Sequence, residues 1–363
     1  MRELDSVRHA LSAAQARREA AVLCTVMGVA GSVYRGAGAR MVIAGADTTG
    51  AVSGGCLEAD LVARAPDVIA RGRAELARYD TRIADDVVLG LGLGCQGIID
   101  VLLEPLVGET LRDAIAFYDR LAVRRDEVTV LTFLREGEDI PVGTRLLFDG
   151  AGRPIEGDER LLTRPDDVAT EKIRPATPLV VCGAGTDAIP LVRLAKQMGW
   201  HVTVVDHRAA FLSPARFPDA DVLACVNLTT EDTSLASQIA IDERTMAVVM
   251  AHSATHDRAY LHAMLDAGAS YIGVLGPRRR TMELLGDRAL DGSLPDGVHA
   301  PVGLDLGAES PDEIALAIVA EVVAVNTGRS GRMLRDHRGP IHDRAHSGVV
   351  LESDALIARH TGR

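Results

Sequence analysis

From Pro178 the chain reads Pro-Leu-Val-Val-Cys-Gly-Ala-Gly-Thr-Asp-Ala, and this run constrains the fold more than any other. An apolar strand leads into Gly183-Ala184-Gly185-Thr186-Asp187-Ala188, a G-x-G-x-x-A turn that opens a helix. The first glycine permits the tight turn, and the second lets a pyrophosphate approach the backbone. The small third residue lets helix and strand pack closely. Beyond it the pattern predicts a helix over 187–198 closed by Gly199, strands over 201–205 and 221–226, and a helix over 234–240. A strand over 246–250, a helix over 255–267 and a strand over 271–275 follow. Such alternation predicts a parallel sheet with crossover helices.

Asp206 ends the strand after the turn, where an acidic group can accept hydrogen bonds from ribose hydroxyls. The expectation is a Rossmann-type domain over 178–328, with Gly183, Gly185 and Asp206 as cofactor-binding positions and NAD(P) or another nucleotide as candidate ligand. Asp187 complicates this, because it sets a negative charge beside the expected pyrophosphate. The last helix has a clear start: Ser310 as N-cap, Pro311 in the first helical position and Glu313 completing a capping box. Its body, Ile314 to Val325, is apolar on nearly every side, which predicts deep packing.

Composition narrows the function classes. Phe 5, Tyr 5 and Trp 1 are few in 363 residues, so the core must be built from Ala, Val, Leu and Ile, and aromatic platforms for single-stranded nucleic acid are not expected. A formal net charge of −12 argues against a general nucleic-acid or anionic-membrane binder. The charged start, Met-Arg-Glu-Leu-Asp-Ser-Val-Arg-His, does not resemble a signal peptide, and the longest apolar runs are too short to span a bilayer. Five cysteines, an odd number spread along the chain, make no disulfide framework, so a reducing cytoplasm is expected.

The region before 150 reads as a mixed α/β domain. A helix is expected over 6–19, strands over 21–29 and 41–44, and a strand end turning into a helix over 50–58. A rigid stretch over 87–93, a strand over 98–103, a helix over 109–124 and strands over 128–134 and 144–148 complete it. Residues 151–177 hold Pro154, Pro165 and Pro175 with Gly152 and Gly157, and read as an inter-domain linker. Residues 329–363, rich in Arg, His and Asp, read as a tail.

Two cysteines of the first region carry chemical interest. Cys56 follows Gly54-Gly55 and opens a predicted helix, where backbone donors and the helix dipole favour thiolate. Cys95 lies in a second glycine loop, Gly90-Leu-Gly-Leu-Gly-Cys-Gln-Gly. Cys24, Cys182 and Cys225 fall in apolar strands and are expected to be inert. Two thiols without histidine neighbours do not make a zinc site, and no metal site is expected. In the second region Arg278, Arg279 and Arg280 follow Gly276-Pro277 in the first turn of a helix. Cations there oppose the dipole unless an anion sits among them. His252, with Asp257, follows a parallel strand and is a ligand-contact candidate.

Three segments of the first region resemble one family. These are Gly-Ser-Val-Tyr-Arg-Gly-Ala-Gly-Ala-Arg-Met at 31–41, Ser-Gly-Gly-Cys-Leu-Glu at 53–58 and Gly-Leu-Gly-Cys-Gln-Gly at 92–97. They look like the XdhC/CoxI family of accessory proteins of xanthine dehydrogenase and related molybdenum hydroxylases. Gln96 departs mildly, standing where a third small residue is expected. Gly-Ala-Gly at 183–185, Val-Val-Asp-His-Arg at 204–208, Tyr-Ile-Gly-Val-Leu-Gly-Pro-Arg-Arg-Arg-Thr at 271–281 and the run 301–315 resemble the same family's Rossmann domain.

The resemblance implies a chaperone that binds molybdenum cofactor as cargo, supports its sulfuration and delivers it into an apo molybdenum hydroxylase. A cysteine desulfurase as second partner and a homo-oligomeric state are further expectations. Cys56 and Cys95 would be the functional thiols, with Arg35, Arg40, Gly54, Gly55 and Glu58 near the cofactor. Two other readings stand beside it: an NAD(P)-dependent oxidoreductase, and a nucleotide-regulated scaffold. Against the oxidoreductase, no tyrosine–lysine pair or similar hydride-transfer constellation accompanies the fingerprint.

Overall fold

The computed structural model describes residues 2–80, 96–136, 139–226, 228, 235–289, 292–336, 338, 349 and 350. Two compact units divide between Pro175 and Ala176.

The first unit holds two antiparallel sheets. Helix α1 (Arg2–Arg17) precedes β1 (Ala21–Ser32), β2 (Arg40–Ala44) and β3 (Asp47–Gly50). Helix α2 (Glu58–Arg71), β4 (Glu75–Asp80) and β5 (Gln96–Leu106) complete a sheet in the order β3-β2-β1-β5-β4. β1 alternates its faces with period two. Val22, Cys24 and Val26 turn to a core shared with Leu57, Leu61 and Val68, whereas Ala21 and Leu23 turn to one shared with α1. Helix α3 (Glu109–Ala122) packs on this second face. The second sheet contains β6 (Val128–Phe133), β7 (Arg145–Phe148), β8 (Pro154–Gly157) and β9 (Val168–Ile173), in the order β16-β9-β6-β7-β8, with β16 at Val349–Val350.

The expected linker over 151–177 is corrected here. β9 pairs along its whole length with β6, from Val128↔Ile173 to Phe133↔Val168, and β8 forms the exposed edge beside β7. Pro154 starts the edge strand and Pro165 a 3-10 turn, and Leu161 between them in sequence is buried. Other strands also escaped the sequence reading, among them β3, which is polar and exposed, and β4, which buries only Ala77 and Tyr79. The expected rigid stretch over 87–93 lies outside the described residues.

The second unit is a six-stranded parallel sheet in the order β12-β11-β10-β13-β14-β15. Its strands are β10 (Pro178–Cys182), β11 (His201–Asp206), β12 (Val222–Cys225), β13 (Met246–Val249), β14 (Tyr271–Val274) and β15 (Val298–His299). Leu179 and Val181 face a core with α4 (Ala188–Gln197) and α7 (Pro311–Asn326). Val180 and Cys182 face the opposite core with α5 (Ala254–Asp266) and α6 (Arg278–Leu285). The strand order reverses between β10 and β13, which places a crevice at their carboxyl ends.

Three expectations change. Where a helix over 234–240 is expected, the described residues form a 3-10 turn, Leu235–Ser237, with Leu235 and Ile239 buried. Cys225 is exposed, since β12 is the edge of the sheet. α7 begins with the expected capping box but is not packed all round: Leu316, Val323 and Val325 are exposed.

Candidate functional site

In the first unit the family-like segments meet at the far end of β1. Gln96 and Gly97 pair with Ser32 and Gly31, and the ring of Tyr34 lies against Gly54, about where a β-carbon there would touch it at 3.5 Å. The turn over 53–58 is organised by two residues. Glu58 accepts hydrogen bonds at Oε1 from the backbone N–H groups of Val52 and Ser53 (3.1 and 2.8 Å). Its Oε2 accepts from the Ser53 hydroxyl (2.5 Å) and the Leu57 N–H (3.1 Å). Ser53 Oγ in turn accepts from the N–H groups of Gly55 and Cys56 at 3.1 and 3.0 Å. Burial works against the charge on Glu58, but the hydrogen bonds from Ser53 and its neighbours outweigh it and hold the carboxyl below its usual range.

Cys56 sits inside this frame, half-buried, with Sγ 3.2 Å from Ser53 Oγ. It does not open the helix: α2 starts at Glu58 with Leu57 as its N-cap, so the thiol precedes the first turn. Gly55 has φ 108°, and a β-carbon there would meet nothing within 4 Å. The thiol therefore neighbours a stretch of backbone with open space beside it. Cys95 lies outside the described residues. Cys24 is buried, and burial pushes its thiol up to about 12.

The arginines are drawn elsewhere. Arg35 grips both carboxylate oxygens of Glu3 on α1 (2.8 and 2.7 Å), while the Arg40 backbone N–H donates to the same carboxylate at 2.6 Å. Glu3 thereby clamps both ends of the 35–40 turn. The Arg40 side chain is buried, bonded to Glu171 on β9 at 2.6 Å and to the Gly38 carbonyl at 2.8 Å. Although burial alone would lower its pKa, the Glu171 carboxylate raises it well above the ordinary value. Expected near the cofactor, Arg40 is instead half of a buried ion pair, and Glu58 is a brace of the thiol turn.

In the second unit the crevice between β10 and β13 is already filled by the chain's own groups. Gly183 has φ 126°, and a β-carbon there would meet the Met250 carbonyl at 2.5 Å, so only glycine fits. Asp206 is fully buried, and neither oxygen is free for a ribose. Oδ2 accepts from the Ala184 N–H (2.7 Å) and Arg208 (2.9 Å), and Oδ1 from the N–H and Nε of Arg208 (2.8 and 2.9 Å). Burial opposes ionisation, but Arg208 and the two backbone donors hold the carboxyl down at about 2. Asp187, the N-cap of α4, folds over Gly185 and is held by His252 Nε2 at 2.6 Å.

The remaining candidates separate. His252 does not act with Asp257, which is buried and bonded to the Ala251 N–H (2.8 Å) and to Arg280 (2.5 Å). Arg280 turns inward, while Arg278 and Arg279 stay exposed and Arg279 pairs with Glu283 at 3.6 Å. Successive helical residues point about 100° apart, so the three do not share one anion. Among the described residues no group of three His, Cys, Asp or Glu is placed to hold a metal ion.

Sequence reasoning missed Tyr34, Ser53, Glu3 and the Arg208 grip on Asp206. Tyr34 alone carried a signal, an exposed aromatic in a glycine loop of an aromatic-poor chain. The Ser53–Glu58 pairing is invisible until the turn closes.

Residues 14–80 match a family model described as the XdhC and CoxI family, and residues 179–322 one described as the XdhC Rossmann domain. The chain is 32% identical over 315 residues to a Bacillus subtilis protein described as a probable subunit of xanthine dehydrogenase, covering 84% of this chain and 93% of that protein. It is 26% identical over 318 residues to the molybdenum cofactor insertion chaperone PaoD of Escherichia coli, covering 84% and 83% respectively. A crystal structure described as a xanthine dehydrogenase from Bacillus halodurans superposes with a TM-score of 0.76 at 29% identity, over 90% of this chain and 97% of that one.

Proposed function

The chain belongs to the XdhC and CoxI family, and from that premise we propose that it binds molybdenum cofactor at the Tyr34–Cys56 turn, supports its sulfuration and delivers it to an apo molybdenum hydroxylase. One observation carries the reading: a half-buried thiol, braced by Ser53, stands beside glycine backbone with open space in front of it. Cys56 is the group that meets the molybdenum end of the cargo. Gly55, with open space where a side chain would stand, allows close approach. Tyr34, 72% exposed, gives the planar pterin a ring to lie on. Arg35, whose Nη2 is held by Glu3, has its other guanidinium nitrogens for the cofactor phosphate. Cys95, in the third family-like segment, is the supporting thiol.

The partners in this reading are the apo-enzyme and a cysteine desulfurase, and the protein works as a cytoplasmic homo-oligomer. The PaoD relative supports the cargo, and the free state of the four described cysteines suits a reducing compartment. Among the described residues no helix is long and apolar enough to cross a membrane. The oxidoreductase reading has less support, because Asp206 is sealed by Arg208 and Asp187 occupies the pyrophosphate approach.

The test is anaerobic loading of the purified chain with molybdenum cofactor, followed by activation of an apo molybdenum hydroxylase. Cys56→Ser keeps the volume nearly constant; it should fold as wild type, yet lose bound pterin and activation. Cys225→Ser should retain both. Full loading and activation by the Cys56 variant would remove the thiol from the mechanism.

A further inference from the structure

Helix α7 is written for burial on every side, but one stripe of it is exposed. Ala315, Ile318, Val319 and Val322 enter the core of the second unit, whereas Leu316 is 52% and Val323 40% exposed. Leu316, Ala320 and Val323 follow one another at helical spacings of four and three, so they form one stripe, with Asp312 one turn before it and Thr327 one turn after. The stripe has apolar flanks. The segment over 303–306 runs along α7, where the Leu304 N–H reaches the Ala317 carbonyl at 3.1 Å, and Gly331 returns against Leu304. Leu306, Met333 and Leu334, all more than half exposed, stand on these two segments. An apolar area of this kind marks an association surface.

We propose that a second copy of this chain covers it, with α7 packed antiparallel on α7 about a two-fold axis near Ala320. The ends of the helix select this occupant. Glu309 and Asp312 stand at the amino end of α7, and Arg332 past its carboxyl end. A parallel neighbour would set acid on acid and base on base. An antiparallel copy sets each acidic end against a basic one, and does so twice, because a two-fold interface repeats every contact. With the axis level with the step from Val319 to Ala320, Leu316 of one copy meets Val323 of the other, and the small side chain of Ala320 at the crossing permits helix axes about 8 Å apart.

Size sets the strength. Sixteen helical residues span about 24 Å, so the α7 strip alone is roughly 250–300 Å² if it is 10–12 Å wide. Stable interfaces bury about 800 Å² per partner, and Leu306, Met333 and Leu334 enlarge the strip only in part. The dimer is therefore of the weak, reversible class. The inference gives the homo-oligomer its interface and does not rest on the cofactor reading.

Sedimentation of the full chain, without cofactor, from about 1 to about 200 µM tests it. Wild type should pass reversibly from monomer to dimer. Leu316→Glu and Val323→Glu, both at exposed positions, should weaken association at least about 100-fold with unchanged circular dichroism. Asp312→Arg should weaken it, and adding Arg332→Glu should restore it. Ala320→Cys in a Cys225→Ser background should form a disulfide-linked dimer on mild oxidation. A wild type that stays monomeric throughout, or a dimer that both Glu variants leave intact, overturns the interface. Failure of the charge reversal to rescue overturns the antiparallel arrangement.

Discussion

The carboxylate of Asp187 lies over Gly185, with Oδ2 2.6 Å from Nε2 of His252 and Oδ1 2.5 Å from the point a β-carbon on Gly185 would occupy. A glycine in this turn serves to admit a pyrophosphate to the helix N-terminus. Here an anion belonging to the chain already stands there, and His252, at φ 57°, adopts a backbone conformation rare for a non-glycine residue in order to hold it.

Removing that anion should open the seat. Asp187→Ala is expected to bind ADP or inorganic pyrophosphate about tenfold more tightly than wild type, equivalent to ~1.4 kcal/mol. Titration calorimetry reads this directly. Equal affinities in the two proteins would mean that the turn has become purely structural.

Asp206 should act as a stability residue with a defined pH window. Its carboxyl is held at about 2 in the fold, below the ~3.9 of an unfolded chain. A depressed acid contributes stability that is fully present above the unfolded value and is lost as pH falls through the folded one. The contribution at neutral pH is of order 2–3 kcal/mol. Asp206→Asn should lose roughly that much in urea unfolding at pH 7, and the gap to wild type should narrow between about pH 4 and pH 2. A gap that does not change with pH would assign the loss to packing.

How far the sequence could be read follows from where each signal resides. The parallel sheet was legible because a buried strand such as Leu179-Val180-Val181-Cys182 and its glycine turn are contiguous. The sheet over 128–173 was only half legible, because β9 carries Thr, Glu and Lys and is recognised as a strand only through its pairing with β6. The thiol turn could be located from its glycines. The roles of its charged residues could not, because an arginine's partner lies far along the chain: 32 positions for Arg35–Glu3 and 131 for Arg40–Glu171. Charge in a glycine loop points to a ligand on sequence grounds, whereas the structure turns Arg40 inward.

The Arg40–Glu171 pair gives a way to separate scaffold from cargo contact. Arg40→Met leaves Glu171 buried and unpaired, and should destabilise the first unit by about 3–5 kcal/mol. Arg40→Met with Glu171→Leu should recover most of that loss in denaturant unfolding. If the double variant is stable and still takes up molybdenum cofactor, Arg40 holds the fold alone. Stability regained without cofactor uptake would return Arg40 to the site.

Glu58 poses the same question one turn from the thiol. Its two oxygens accept from three backbone N–H groups and the Ser53 hydroxyl, so Glu58→Gln turns one oxygen into a donor that faces other donors. The turn should loosen, at about 1–3 kcal/mol in unfolding free energy. The contact between Cys56 Sγ and Ser53 Oγ should go with it. Two readouts should then move in opposite directions: alkylation of Cys56 by iodoacetamide, followed by peptide mass spectrometry, becomes faster, while cofactor loading falls. That combination identifies a brace whose loss frees the thiol but disperses the geometry around it. Loading that falls with stability and alkylation unchanged would instead make Glu58 a direct contact of the cargo.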